Sequence, residues 1–430
     1  MSSTRIYWPL TDQTRYIRLL TMLPSKWGGH IRFVLKQYQY RSDGSATTEA
    51  GRTIPNRQEG LAYTALSYAW GSPSEVQHFI DVNGKNLPVR QNLWEVLQEV
   101  QKSDFCGYLW IDAICINQSD IAEKNTQVAM MGYIFALATS VLVWLGPAAD
   151  DSDYFMEVVR VAIEQGSTLD SIEELSSAAR FLQATEKIRQ RSYWSRTWVI
   201  QELGLSTGVI TLRCGSQEFS YRDESWLHSV FPFEKDSVFP PQKNSVFPPQ
   251  KDSVFPPEKE RQWDCFLTRK MWDYLVIRPL LSLPRGNKFQ LDKLLFTYHH
   301  TKCSDPKDKV YALVSLAQDV QEAWDRGVDV LRPDYDKDVE ELAWEVVDFK
   351  IAGILTSRRT HMLSRGDRES LLDLFKLVMN SPDEMRFEQE WHRRYGPLCG
   401  SSWLIDGNDL TDESDLEGDP VGTLVSTMEV

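Results

Sequence analysis

The chain has 430 residues, 47 basic against 61 acidic, a formal charge of −14, with 42% hydrophobic and 25% charged residues. That length predicts two or three domains, and that apolar content sustains a sizeable core and excludes wholesale disorder. The acid excess argues against a protein that coats nucleic acid, because phosphate binding needs clustered Lys and Arg.

In chain order, the polar start predicts no secretory leader, and the first residues read as a lead-in to about residue 60. Tyr63 to Tyr68 (YTALSY) is a short apolar, aromatic run that ends in turn chemistry at Ala69-Trp70-Gly71-Ser72-Pro73. Phe79 to Val82 and Leu87 to Val89 flank Asn83-Gly84, the pattern of a tight hairpin. From Asn92 to Gln101, Leu93, Val96, Leu97 and Val100 fall on one helix face. Tyr108 to Ile111 reads as a strand with Asp112 at its end. Asp120, with Glu123 three residues on, predicts a capped helix carrying Val128, Met131, Ile134 and Phe135.

Ser140 to Leu145 (SVLVWL) reads as a buried strand stopped by Gly146-Pro147. Strands alternating with amphipathic helices predict an α/β fold with a parallel sheet flanked by helices. After Asp150 the pattern turns helical, and Trp194, Trp198 and Glu202 recur at helical spacing on one face. Residues 228–259 hold four copies of an eight-residue SVFPPQK-type unit. Their prolines predict an extended, polyproline-like surface insertion, either an expanded loop or a ligand for a proline-binding groove. Residues 263–360 read as a mainly helical region, with helices opening at Asp305-Pro306 and over 338–350. The stretch 400–430 reads as an acidic, disordered tail; from Asp406 onward it has eight Asp and Glu and no Lys or Arg.

The longest strongly apolar stretch, Ala136 to Gly146, has 11 residues against the roughly 20 a spanning helix needs. No membrane span is expected. The six scattered cysteines include no C-x-x-C pair, which favours reduced thiols and a cytoplasmic location over a disulfide scaffold or a zinc site. Phosphate-loop, dinucleotide-fingerprint, zincin and serine-elbow motifs are missing, and no metal or bound cofactor is implied.

In an open parallel sheet, ligands sit beyond the carboxyl ends of the strands. That rule singles out Ser67 to Gly71, Asp112 and the loop after Leu145. Glu202, one helical turn from Trp198, is a candidate acid–base or cation-stabilising group. On residue type alone, the commoner case is a solvated helix carboxylate paired with Arg196 or Arg213. Asp112 similarly divides between anchoring a ligand and capping a turn. Trp70 and Tyr68 divide between stacking on a base and packing a core rich in tryptophan (15 in the chain). Cys115, in an apolar Ile-Cys-Ile context, reads as buried and inert.

Taken together, YTALSYAWG at 63–71, LWIDAICINQSDIAEKNTQVAMMGYIFALATSVLVWLG at 109–146 and RSYWSRTWVIQEL at 191–203 resemble the fungal heterokaryon incompatibility (HET) domain. IRLL at 17–20, DPKDKVYAL at 305–313 and PDY at 333–335 extend the resemblance. It places a HET domain at 61–215 and implies a role in non-self recognition between fungal individuals, ending in programmed cell death.

A more distant resemblance is to Toll/interleukin-1 receptor (TIR) domains, which implies a TIR- or flavodoxin-like sheet. SRTWVIQEL is similar to the TIR pattern in which a Trp precedes a catalytic Glu by four positions, although Val199 stands where that pattern has Cys. This resemblance implies that Glu202 is catalytic, that NAD is the candidate substrate, and that Ser67, Trp70, Asp112 and Trp198 line the substrate pocket. It also implies self-association, since TIR sites often form on assembly. The alternative is a non-enzymatic module that signals by self-association or by recruiting an unidentified protein partner.

Overall fold

The computed structural model describes residues 5–24, 29–47, 53–72, 74, 77–165, 175–222, 289–358, 363–380 and 384–395. The eight-residue repeats and the acidic tail lie outside the described residues.

Eleven strands are described: β1 (Tyr16–Met22), β2 (Arg32–Gln39), β3 (Arg41–Thr47), β4 (Thr53–Arg57), β5 (Tyr63–Tyr68), β6 (Gln77–Val82), β7 (Lys85–Arg90), β8 (Tyr108–Trp110), β9 (Ser140–Trp144), β10 (Val209–Cys214) and β11 (Gln217–Tyr221). Nine of them form one sheet in the order β11-β10-β9-β5-β8-β1-β2-β6-β7, and β3 and β4 pair separately. The helices that precede residue 222 are α1 (Gln91–Lys102), α2 (Asp112–Cys115), α3 (Ile121–Leu137), α4 (Ser152–Gln165), α5 (Leu175–Arg189) and α6 (Trp198–Gly204). Beyond them lie α7 (Leu291–Tyr298), α8 (Asp308–Val314), α9 (Gln318–Asp325), α10 (Val339–Arg358), α11 (Arg365–Met379) and α12 (Glu384–Tyr395).

The α/β class expected from the sequence is the one observed, with one difference. The sheet is mixed. Its centre is parallel: β5 pairs with β8 and β9, and β9 with β10. Strands β1, β7 and β11 run antiparallel to their neighbours β8, β6 and β10. Counting the four central strands in chain order gives 2-1-3-4, the order of flavodoxin-like sheets, with its topological switch between β5 and β9. Both strands are buried along almost their whole length, as continuous apolar runs between two helical layers must be.

The lead-in is part of this sheet. β1 lies between β8 and β2, and Ile17, Leu19 and Leu20 are buried. Its one charge, Arg18, is buried too and is matched by Glu123 of α3, with N–H···O distances of 2.5 and 2.8 Å. That pair modifies the expected cap. Asp120 does accept the Glu123 N–H at 3.1 Å, but the Glu123 carboxylate turns to Arg18 and to the Asn117 N–H. The expected hairpin, the helix at α1 and its four buried positions are all present. The helix after Asp305-Pro306 begins at Asp308, because Asp305 caps the preceding turn. The helix expected over 338–350 continues to Arg358.

Buried side chains of the sheet, its flanking helices and α7 to α12 form one continuous core. Among the described residues, no helix is long and apolar enough to cross a membrane.

Candidate functional site

Parallel pairing aligns β5 and β8 so that Ala65 lies opposite Trp110. Two residues further along come Ser67, still in β5, and Asp112, the first residue of α2, both at the carboxyl edge of the sheet. Asn92, in the first turn of α1, ties the same edge together. Its amide donates to Ala69 O at 2.5 Å, and its oxygen accepts the Trp144 indole N–H at 2.8 Å. The ends of β5 and β9 therefore close over the switch point.

The third sequence motif brings Glu202 to this edge. Arg191 donates to the carbonyls of Leu145, Pro147 and Ala149 at 3.1, 2.6 and 3.2 Å, locking the loop after β9. A 3-10 turn at Ser192–Ser195 then buries Tyr193 and Trp194, and α6 follows. Glu202 ends up 2% exposed. Ser67, itself fully buried, donates its hydroxyl to Glu202 Oε2. With that proton committed, Tyr193 donates to Ser67 Oγ at 2.7 Å. Arg196 donates to the two Glu202 oxygens at 3.2 and 3.4 Å.

Asp112 stands beside this group. Its Oδ2 accepts the Trp70 indole N–H at 2.8 Å, and its Oδ1 accepts the Ala113 N–H at 2.7 Å. The Arg90 guanidinium lies 5.6 Å from the Trp70 ring centroid and donates to Gly71 O at 3.0 Å. Burial, followed by the Glu202 charge, pushes the Asp112 carboxyl up to about 6. Burial also raises the Tyr193 and Tyr68 phenols well above their ordinary range, with Glu202 and Asp112 respectively adding to it. Both remain neutral near pH 7. Burial works against the Arg196 charge, but Glu202 and Asp112 outweigh it and raise its pKa. The cluster thus holds two carboxylates, one fixed cation and two neutral phenols. Two carboxylates against one cation leave net negative charge, which suits stabilisation of positive charge developing on a bound group.

Ser67, Asp112, Glu202 and Trp70 are brought together, Trp70 through its bond to Asp112. Trp198 is directed elsewhere: its side chain faces the Asp308 carboxylate of α8 and opposes the rise that burial imposes on that pKa. Glu202 does pair with Arg196, one of the two partners open from the sequence, but in a buried setting rather than a solvated one; Arg213 pairs with Glu218 instead. Cys115 is buried, and burial pushes its thiol up to about 12, as an inert cysteine requires. Sequence reasoning missed Tyr193, Asn92 and Arg191. Arg191 and Asn92 stand in polar stretches (IRQRS and RQN), so no local pattern marks them. A concavity of about 350 Å³, lined by Arg5, Trp8, Arg18, Asn117, Asp120 and Glu123, lies at the β1–α3 side, and none of the cluster residues lines it.

An open α/β sheet with a buried carboxylate cluster at its switch point defines the class of domain. Residues 63–202, which span the whole cluster, match the family described as heterokaryon incompatibility protein (HET). The chain is also similar to "Heterokaryon incompatibility protein 6, OR allele" of Neurospora crassa, 28% identical over 203 residues covering 37% of this chain and 30% of that protein. It therefore spans less than a third of the length of that relative. No solved structure matches.

Proposed function

We propose that the chain acts in heterokaryon incompatibility as an effector whose output is cell death, and that this output is hydrolysis of NAD at the nicotinamide–ribose bond. The observation that supports the enzymatic part is the carboxylate of Glu202 at the switch point, oriented by Ser67 and Arg196 beside Asp112. When the C1′–N bond breaks, its electron pair leaves with nicotinamide, which departs neutral. The ribose becomes an oxocarbenium ion, and a nearby carboxylate stabilises that charge. Water adds at C1′ and releases one proton, giving ADP-ribose. Trp70, half-buried and aimed by Asp112, offers a stacking face at the mouth of the site. Induced expression in a fungal host should lower cellular NAD and viability together. Glu202→Ala should restore both, and undiminished killing by that variant would remove the enzymatic claim.

The near-complete burial of Glu202, with both oxygens engaged, favours a second reading. In it the Ser67–Glu202–Arg196 group is a polar lock within the core, and the domain signals by self-association or by recruiting a partner protein. Killing by the wild-type chain with cellular NAD unchanged would favour this reading.

A further inference from the structure

Helix α6 has seven residues, and its Thr197 cap makes no side-chain bond to the helix itself. A helix that short has no stability of its own. What holds it comes from outside. On one side stand Ser67 and Tyr193 of the cluster. On the other stands a segment that starts about a hundred residues beyond the end of the HET match.

That second side is extensive. Arg196 and Lys302 form a parallel β-bridge. The Thr197 N–H donates to Lys302 O at 3.0 Å, and the Lys302 N–H donates to Ser195 O at 2.5 Å. The Thr197 and Thr301 hydroxyls meet at 3.0 Å, both buried. The buried Gln201 amide, in the orientation that satisfies both its ends, donates to Ala312 O at 3.0 Å and accepts the Gly132 N–H at 2.7 Å. The Trp198 side chain faces the Asp308 carboxylate and opposes the rise that burial imposes on its pKa, and Asp308 accepts the Tyr335 hydroxyl at 2.6 Å. Tyr335 is itself anchored to α3. Its N–H donates to Asn125 at 3.0 Å, and Lys124 Nζ sits 3.4 Å from its ring centroid.

We propose that residues 301–335 complete the Glu202 site by bracing Thr197 at the cap and Gln201 on α6 and so fixing the orientation of Glu202 on that helix, with Asp308, which faces Trp198, as one positioning residue. The segment is the physical route by which an event in the C-terminal region reaches the carboxylate. The consequence for output rests on the proposed role of Glu202, whereas the mechanical coupling does not.

Hydrogen–deuterium exchange on the full chain separates the two. In Asp308→Ala and in Trp198→Phe, amides over 196–204 should exchange at least about tenfold faster, the scale of one charge-assisted hydrogen bond. Amides of β9 and α4 should keep their wild-type rates. The double variant should be no faster than Asp308→Ala alone, because that substitution already removes the contact with Trp198. Asp308→Asn keeps one acceptor oxygen and should recover part of the protection. Killing should fall in step with the exchange over 196–204. Wild-type exchange over 196–204 in Asp308→Ala overturns the proposal, as does a uniform rise along the whole chain, which marks a merely structural role. Failure of the Glu202→Ala test alone removes the enzymatic reading and leaves the coupling standing.

Discussion

Asp112 carries the most direct pH signature of the cluster. Its folded carboxyl sits near 6 against an ordinary 3.8, chiefly through burial and then through Glu202. Between about pH 4 and pH 6 the folded chain keeps a proton that the unfolded chain has already released. Folding stability contributed by this group is therefore present at low pH and is lost as pH rises through that window. Asp112→Asn carries no such proton. Its stability relative to wild type, measured by urea unfolding, should improve by about 2–3 kcal/mol between pH 4 and pH 7 and level off above. A difference that stays constant with pH would contradict the placement of Asp112 beside Glu202. At this scale the sequence was half legible. Asp112 and Ser67 follow from the strand-end rule, since each sits where an apolar run meets turn chemistry. Arg191, Tyr193 and Asn92 do not, because their partners are backbone carbonyls, the Ser67 hydroxyl and the Trp144 indole, which only the folded sheet brings near.

The elements divide by the kind of signal that specifies them. β5, β9, α1 and α3 were readable because each carries its own period or a long apolar run. β1 was not, because Arg18 interrupts its alternation and is neutralised only by Glu123, 105 residues away. β10 and β11 share that problem: Arg213 breaks the first, and the second is a short half-polar edge strand. α6 looked like part of a longer helix, but the 3-10 turn at Ser192–Ser195 precedes it so that Arg191 can reach the β9 loop. How tightly α3 meets α6 and the C-terminal helices shows at Gly132. A Cβ there would stand 2.8 Å from Ser315 Cβ and 2.9 Å from Leu205 Cδ1. In an exposed helix, Gly→Ala gains up to about 1 kcal/mol. Here Gly132→Ala should instead lose about 1–3 kcal/mol by overpacking, read from thermal or urea unfolding. A stabilised variant would show that this junction is looser than described.

At the scale of the whole molecule, the HET match ends at Glu202 but the fold does not. The antiparallel strands β1 and β2 complete one wing of the sheet, β10 and β11 the other, and α7 to α12 share its core. The sequence suggested separate N-terminal and C-terminal blocks because the repeat segment lies between them, and a linear reading cannot see that Lys302 pairs with Arg196 across it. On the proposed function, one carboxylate, Glu202, performs the chemistry at the sheet's switch point. The most direct test is nicotinamide release from NAD by the purified full-length chain, wild type against Glu202→Gln, with both shown by matching melting profiles to be folded. The account predicts release by wild type and a loss of at least about a hundredfold in the variant, the scale of removing one transition-state electrostatic partner. Equal release by the two would contradict it.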